Sequence, residues 1–177
     1  MPESLEDYMK RLHGYLGDQE PLAVQATTAK KIGKLMRGVP RKKLIRRPAP
    51  GKWSVAEIVA HLADDELVGA YRIRRILEQP GAAIESFDQE KWAEAGKYAK
   101  RDAKKSLELF RAIRESNLEL FKHIDSAQWE FYGVHAERGE EAIRTIARHY
   151  ACHDINHMKQ IEKILGKGDA GRAKRRT

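Results

Sequence analysis

The sequence predicts an all-α protein folded as a single four-helix bundle. Four long segments have the apolar spacing of amphipathic helices, and no segment has a sustained period-two alternation. The length of 177 residues suits one domain. We therefore expect residues 1–165 to form one domain and residues 166–177 to form a disordered basic tail.

Helix caps and breakers set the expected bounds of the four helices. A short helix within residues 1–17 precedes the first, which spans about residues 19–37. The second begins after Ser54, where Glu57 completes a capping box, and it ends near residue 78, before Pro80. The third spans about residues 102–124, and the fourth spans about residues 140–165 and is ended by Gly166.

Two long connections separate the later helices. Residues 79–100 join the second helix to the third and contain a short predicted helix at residues 88–95. Residues 125–139 lead into the fourth helix, and their lack of apolar alternation predicts no strand.

Three histidines are the candidate metal-binding residues of this sequence. His153 and His157 lie four residues apart on the inward side of the fourth helix, a spacing that lets two imidazoles bind one metal ion. His61 lies at the inward edge of the second helix, and Asp65 follows it by one turn. A carboxylate at that position would orient a ligating imidazole or hold a water molecule. We predict His61, His153 and His157 as metal ligands and Asp65 as the catalytic candidate.

The positions of these histidines predict the helix directions. His61 lies about 10 Å from the start of the second helix, and the His153–His157 pair lies about 15 Å from the end of the fourth. The two groups come level only if these helices are antiparallel. The expected topology is therefore up-down-down-up, with residues 79–100 as the long crossover between the parallel second and third helices.

The other reactive side chains have simpler interpretations. His13, His123, His135 and His149 are expected on the surface or in loops, and projection around the fourth helix turns His149 toward solvent. Cys152, the only cysteine, is expected to be a small packing residue, and one cysteine excludes a disulfide framework and a cysteine-based zinc site.

The net charge of +8 is unevenly distributed. Residues 41–52 carry six basic side chains and no acidic ones, and residues 166–177 carry five basic and one acidic side chain. The rest of the chain is therefore slightly acidic. A basic loop and tail leave open a non-enzymatic protein that binds nucleic acid or another anion, although a solvated loop and tail are the simpler interpretation.

Two stretches resemble the DinB-like (DinB/YfiT) superfamily. These are GKWSVAEIVAHLADDE at residues 51–66 and HYACHDINHMKQIEKIL at residues 149–165, and the likeness covers about residues 20–165. The resemblance implies an up-down-down-up bundle and a divalent metal held by His61, His153 and His157. Characterised members resemble transferases and isomerases that use low-molecular-weight thiols such as bacillithiol or mycothiol, and many others are assigned as metal-dependent hydrolases.

These observations lead to a functional prediction. Three imidazoles leave a coordination position open, which is the pattern of a catalytic rather than a structural metal site. The leading hypothesis is a metal-dependent S-transferase that joins a small thiol to an electrophile. The alternatives are a metal-dependent hydrolase and a non-enzymatic anion-binding bundle. Zinc is the first choice of metal, with nickel, manganese or iron as other candidates.

The expected partners and compartment follow from the same features. We expect a small-molecule substrate, no nucleic-acid partner, no membrane association and a homodimer by analogy of fold. No apolar run approaches 18 residues, and the acidic N-terminus lacks the apolar core of a secretory signal. A cytoplasmic setting is therefore expected.

Overall fold

The computed structural model describes residues 5–167, without the side chains of residues 5, 6 and 8. The described helices are α1 (Leu5–Gly14), α2 (Pro21–Met36), α3 (Arg41–Leu44), α4 (Val55–Glu78), α5 (Gln89–Ala95), α6 (Ala103–Phe121) and α7 (Ile143–Leu165). Short 3-10 helices occur at Tyr98–Lys100 and Gln128–Glu130. The four long helices α2, α4, α6 and α7 correspond to the four predicted ones, and most of the predicted tail, residues 168–177, lies outside the described residues.

The start of α4 forms as the sequence predicts. The Ser54 hydroxyl accepts a hydrogen bond from the Glu57 amide, and the Glu57 carboxylate accepts one from the Ser54 amide at 2.8 Å. This capping box satisfies two helix-terminal N–H groups. Arg47 also pairs with the buried Glu57 carboxylate. The cap therefore fixes the first turns of α4, and His61 lies on its second turn.

Contacts between the helices show that the bundle is up-down-down-up. In α4 and α7, Gly69 approaches Tyr150 while His61 approaches the later His153, so these helices run antiparallel. The α2–α7 pair is parallel, because Gln25 bonds Ala147 near one end and later residues of both helices line a common groove. The α4–α6 pair is parallel, with Glu66 bonded to Arg114 and the later Arg74 to Asn117. The predicted topology and its crossover are confirmed.

A small sheet corrects the expectation that the chain has no strands. Strand β1 (Ala83–Ile84) pairs in parallel with β2 (Tyr132–His135), and β2 pairs antiparallel with β3 (Gly139–Ala142). The hairpin delays the start of the last helix from residue 140 to Ile143. On β2 the inward positions are Gly133 and His135 and the outward ones are Tyr132 and Val134, which hides the usual apolar alternation.

The interior contains apolar side chains and one buried ionic cluster. Cys152 is fully buried among the apolar residues, as expected for a packing residue. Arg114 of α6 is 2% exposed and bonds both Asp154 of α7 and Glu66 of α4.

None of the described helices combines the length and apolar content needed to cross a membrane.

Candidate metal centre and its cavity

The structure brings the three predicted histidines to one point between α4 and α7. His61 Nε2 lies 3.2 Å from His153 Nε2, which lies 3.0 Å from His157 Nε2. All three ligand atoms fall within 4.8 Å of one another, and all three side chains are buried. Because α4 and α7 pack antiparallel, His61 of α4 lies level with His153 and His157 of α7.

The three imidazoles are neutral, and the tautomer of His157 suits metal binding. Burial lowers the pKa of His61 and of His153 well below the ordinary value, and neighbouring histidines lower both further. Burial lowers the pKa of His157 to about 4. Gln160 Oε1 lies 3.1 Å from His157 Nδ1, which places the ring proton on Nδ1 and leaves the Nε2 lone pair free. The site therefore presents unprotonated nitrogens, the form that binds metal.

Asp65 lies beside the histidines at the wall of the site. Its Oδ2 is 3.3 Å from His153 Nδ1, although the contact does not lie along the direction of a hydrogen bond. Burial raises the pKa of Asp65 to about 7, and the Glu66 carboxylate adds to the increase. The Asp65 backbone carbonyl accepts a hydrogen bond from the Tyr150 hydroxyl at 3.0 Å. The arrangement suits a residue that orients His153.

Trp53 covers the other side of His61. Its ring centroid lies 4.9 Å from that of His61, with the two planes inclined by 52°. The Nδ1 of His61 is buried without a hydrogen-bond partner among the described residues. Trp53 therefore shields His61 from water on this side.

A cavity of about 150 Å³ opens beside the histidines. Its wall includes His61, Asp65 and Arg72 from α4, His153 from α7, and His135 from the hairpin. No residue of the basic loop, residues 41–52, lines it. Two of the three candidate ligands thus face a space that can hold a small molecule.

The positions of the other four histidines differ in part from the sequence-based prediction. His123 is exposed as predicted, but His135 is 2% exposed, and His13 and His149 are half-buried. The ring centroids of His13 and His149 lie 6.1 Å apart, which joins α1 to α7. Projection around a single helix places His149 toward solvent, but α1 and the hairpin cover that side.

The donor set fits a divalent metal ion. Tetrahedral Zn–N bonds of about 2.0–2.1 Å place nitrogens about 3.4 Å apart, close to the observed separations of 3.0 and 3.2 Å. Among the described side chains, no fourth histidine, cysteine or carboxylate joins the group. Three nitrogen donors beside a cavity match a catalytic site with an open position.

The fold and this site define a four-helix bundle with a candidate three-histidine metal centre, and sequence comparison identifies the family. The model of the DinB superfamily matches residues 26–161, and the chain belongs to that superfamily. The chain is 24% identical over 139 residues to a protein of Oceanobacillus iheyensis named as a putative metal-dependent hydrolase, covering 78% of this chain and 80% of that one. A Bacillus licheniformis protein of the same description is 28% identical over 120 residues, covering 66% and 68% of the two chains.

A solved structure has the same fold. YfiT from Bacillus subtilis, described as a probable metal-dependent hydrolase with an unusual four-helix bundle topology, superimposes with a TM-score of 0.75. The match covers 93% of this chain and 91% of YfiT at 20% identity. It confirms the predicted bundle and its topology.

Proposed function

We propose that this protein is a metal-dependent hydrolase of a small-molecule substrate, with His61, His153 and His157 as the metal ligands. The observation that carries the proposal is the convergence of three neutral Nε2 atoms at the wall of a cavity. The names of the relatives support a hydrolase. Thiol S-transfer, the leading hypothesis from the sequence, finds no support in those names and stays a prediction.

The side chains around the three histidines have separate roles in such a reaction. A divalent metal held by these residues would act as a Lewis acid and would lower the pKa of a water molecule that it binds toward neutrality. Gln160 holds the Nδ1 proton of His157, and Asp65 is placed to accept the Nδ1 proton of His153 after a small rotation. Trp53 keeps bulk water from His61. We propose zinc as the metal, with nickel, manganese or iron as other candidates, because imidazole ligands discriminate poorly among them.

Metal binding by His153→Ala tests the ligand set. The wild type, freed of metal by chelation, is expected to bind one equivalent of zinc, and the variant is expected to bind more than about 100-fold more weakly, because the loss of a ligand exceeds the loss of an outer partner. His123→Ala changes an exposed histidine and should bind as the wild type does. Competition with a chromophoric chelator measures the affinities, and circular dichroism checks folding.

Activity assays separate the two candidate reactions. The zinc-loaded wild type should hydrolyse p-nitrophenyl esters, and His153→Ala should not. Thiol transfer is assayed with a low-molecular-weight thiol and 1-chloro-2,4-dinitrobenzene. Equal zinc affinity in the wild type and His153→Ala would contradict the ligand set, while metal-dependent thiol consumption without ester hydrolysis would favour the transferase.

A further inference from the structure

Arg72 is a buried cation in the wall of the cavity. It follows His61 by eleven residues on α4, about three turns, so both lie on one face of the helix. The Arg72 side chain lines the same cavity as His61 and His153, and the residue is 7% exposed. Seven residues separate it from Asp65, a rise of about 10 Å along α4. The candidate metal centre and the guanidinium therefore lie at different positions along one cavity.

The guanidinium forms no ion pair with a carboxylate among the described residues. Of its five N–H groups, Nη2 donates to the Glu85 carbonyl oxygen, and Nε is buried without a partner. No carboxylate among the described side chains forms a salt bridge with Arg72, whereas buried Arg114 bonds two. A buried charge without a counter-ion costs free energy, so an anion at this position would stabilise the protein.

The other charged groups around the cavity do not form an ion pair with Arg72. Arg138 is neutralised by Glu141, with two contacts of 2.8 Å. Glu137 is exposed. Asp65 contacts His153 at the metal end and interacts with Arg72 electrostatically, without forming an ion pair with it. Arg72 is therefore the cation of the wall that has no directly bonded carboxylate among the described residues.

We propose that Arg72 binds an oxyanion of the substrate, a carboxylate or a phosphate, while the bond to be hydrolysed lies beside the three histidines. The planar guanidinium matches such groups with paired N–H donors. The site thus selects substrates that carry an anion a few bonds from the scissile group. The placement of the scissile bond rests on the proposed hydrolase function, but binding of the anion does not.

Matched esters test the selectivity. The zinc-loaded wild type is expected to prefer mono-p-nitrophenyl glutarate over the same compound with its free carboxylate methylated. Arg72→Met should reduce the ratio of the two kcat/KM values by about 10- to 100-fold, the factor expected for a charged hydrogen bond. Arg72→Lys should retain part of the preference. Arg75→Met, on the same helix but paired with Glu78, should retain all of it.

Anion binding without catalysis provides the second measurement. Glutarate or inorganic phosphate is titrated into the metal-free protein, and the arginine Nε–H resonance that is missing in Arg72→Met is followed by NMR. The resonance should shift saturably, and the anion with the higher affinity identifies the preferred oxyanion. No shift together with equal ester ratios in the wild type and Arg72→Met overturns the proposal, even if neutral esters are hydrolysed. Anion binding without hydrolysis of any ester instead contradicts the proposed function alone.

Discussion

Asp65 places a carboxylate beside His153, one of the candidate metal ligands. Its carboxylate lies 3.3 Å from His153 Nδ1, and the Tyr150 hydroxyl bonds its backbone carbonyl. A carboxylate beside the outer nitrogen of a ligating imidazole fixes the tautomer and raises the basicity of the other nitrogen. The structure places Asp65 next to His153, and its role at the site stays a prediction.

Asp65→Asn is expected to weaken zinc binding by about 10- to 100-fold, because an amide does not stabilise the Nδ1–H of His153 as a carboxylate does. The affinity is measured by competition with a chelator. Asp18→Asn, at an exposed aspartate, should bind zinc as the wild type does. An unchanged affinity in Asp65→Asn would show that the carboxylate does not orient the ligand.

Single residues also show which contacts a sequence pattern does not predict. The inward direction of His153 and His157 is predictable because their helix alone determines which way they face. The same reasoning turns His149 toward solvent, and His135 is expected on the surface or in a loop, although both line the cavity. The elements that cover them lie far away in sequence, and no local periodicity records those contacts.

The contact between α4 and α7 depends on a glycine. A Cβ atom added at Gly69 would lie 2.6 Å from Cζ of Tyr150. The absence of a side chain lets the Tyr150 ring cross α4 and bond the Asp65 carbonyl. Gly69 therefore sets the distance between the two helices that carry the histidines.

Gly69→Ala is expected to destabilise the protein by about 1–3 kcal/mol, the usual cost of overpacking. Gly14→Ala provides the control, because nothing lies within 4 Å of the added Cβ and alanine favours the helix. Urea unfolding of the metal-free proteins measures both values. If Gly69→Ala were as stable as Gly14→Ala, the helix separation would not depend on this glycine.

The hairpin is the element that the sequence did not reveal. Its inward Gly133 fits against Ile76 and Ile84, and each of these has an atom 2.9 Å from the position that a Cβ would take, so a larger residue would not fit there. Small and polar residues at inward positions remove the apolar alternation by which strands are recognised. Gly139, with φ of 74°, is the clearest local signal of the turn.

The buried ionic cluster connects the whole bundle. Arg114 of α6 bonds Asp154 of α7 at 2.5 and 3.1 Å, Glu66 of α4 at 2.7 Å and the Gln25 carbonyl of α2 at 3.2 Å. Asn117 also donates to Glu66 at 2.7 Å. One guanidinium therefore contacts all three other long helices and pairs with two buried carboxylates.

Arg114→Met is expected to lower the free energy of unfolding by about 3–5 kcal/mol, because it leaves Glu66 and Asp154 buried without their cation. Arg111→Met, at an exposed arginine of the same helix, should change it by less than about 0.5 kcal/mol. Urea unfolding of the metal-free proteins provides the comparison. Equal losses in the two variants would mean that the cluster contributes nothing specific to stability.

The sequence alone determined the four long helices, the α4 cap, the inward histidines and, through their level positions, the up-down-down-up topology. These features depend on periodicity and on interactions within a few residues, which a sequence displays directly. The tertiary structure decided the convergence of the three Nε2 atoms, the hairpin wall, the cluster around Arg114 and the unpaired charge of Arg72. Each of these depends on side chains that are distant in sequence, and only packing determines which of them meet.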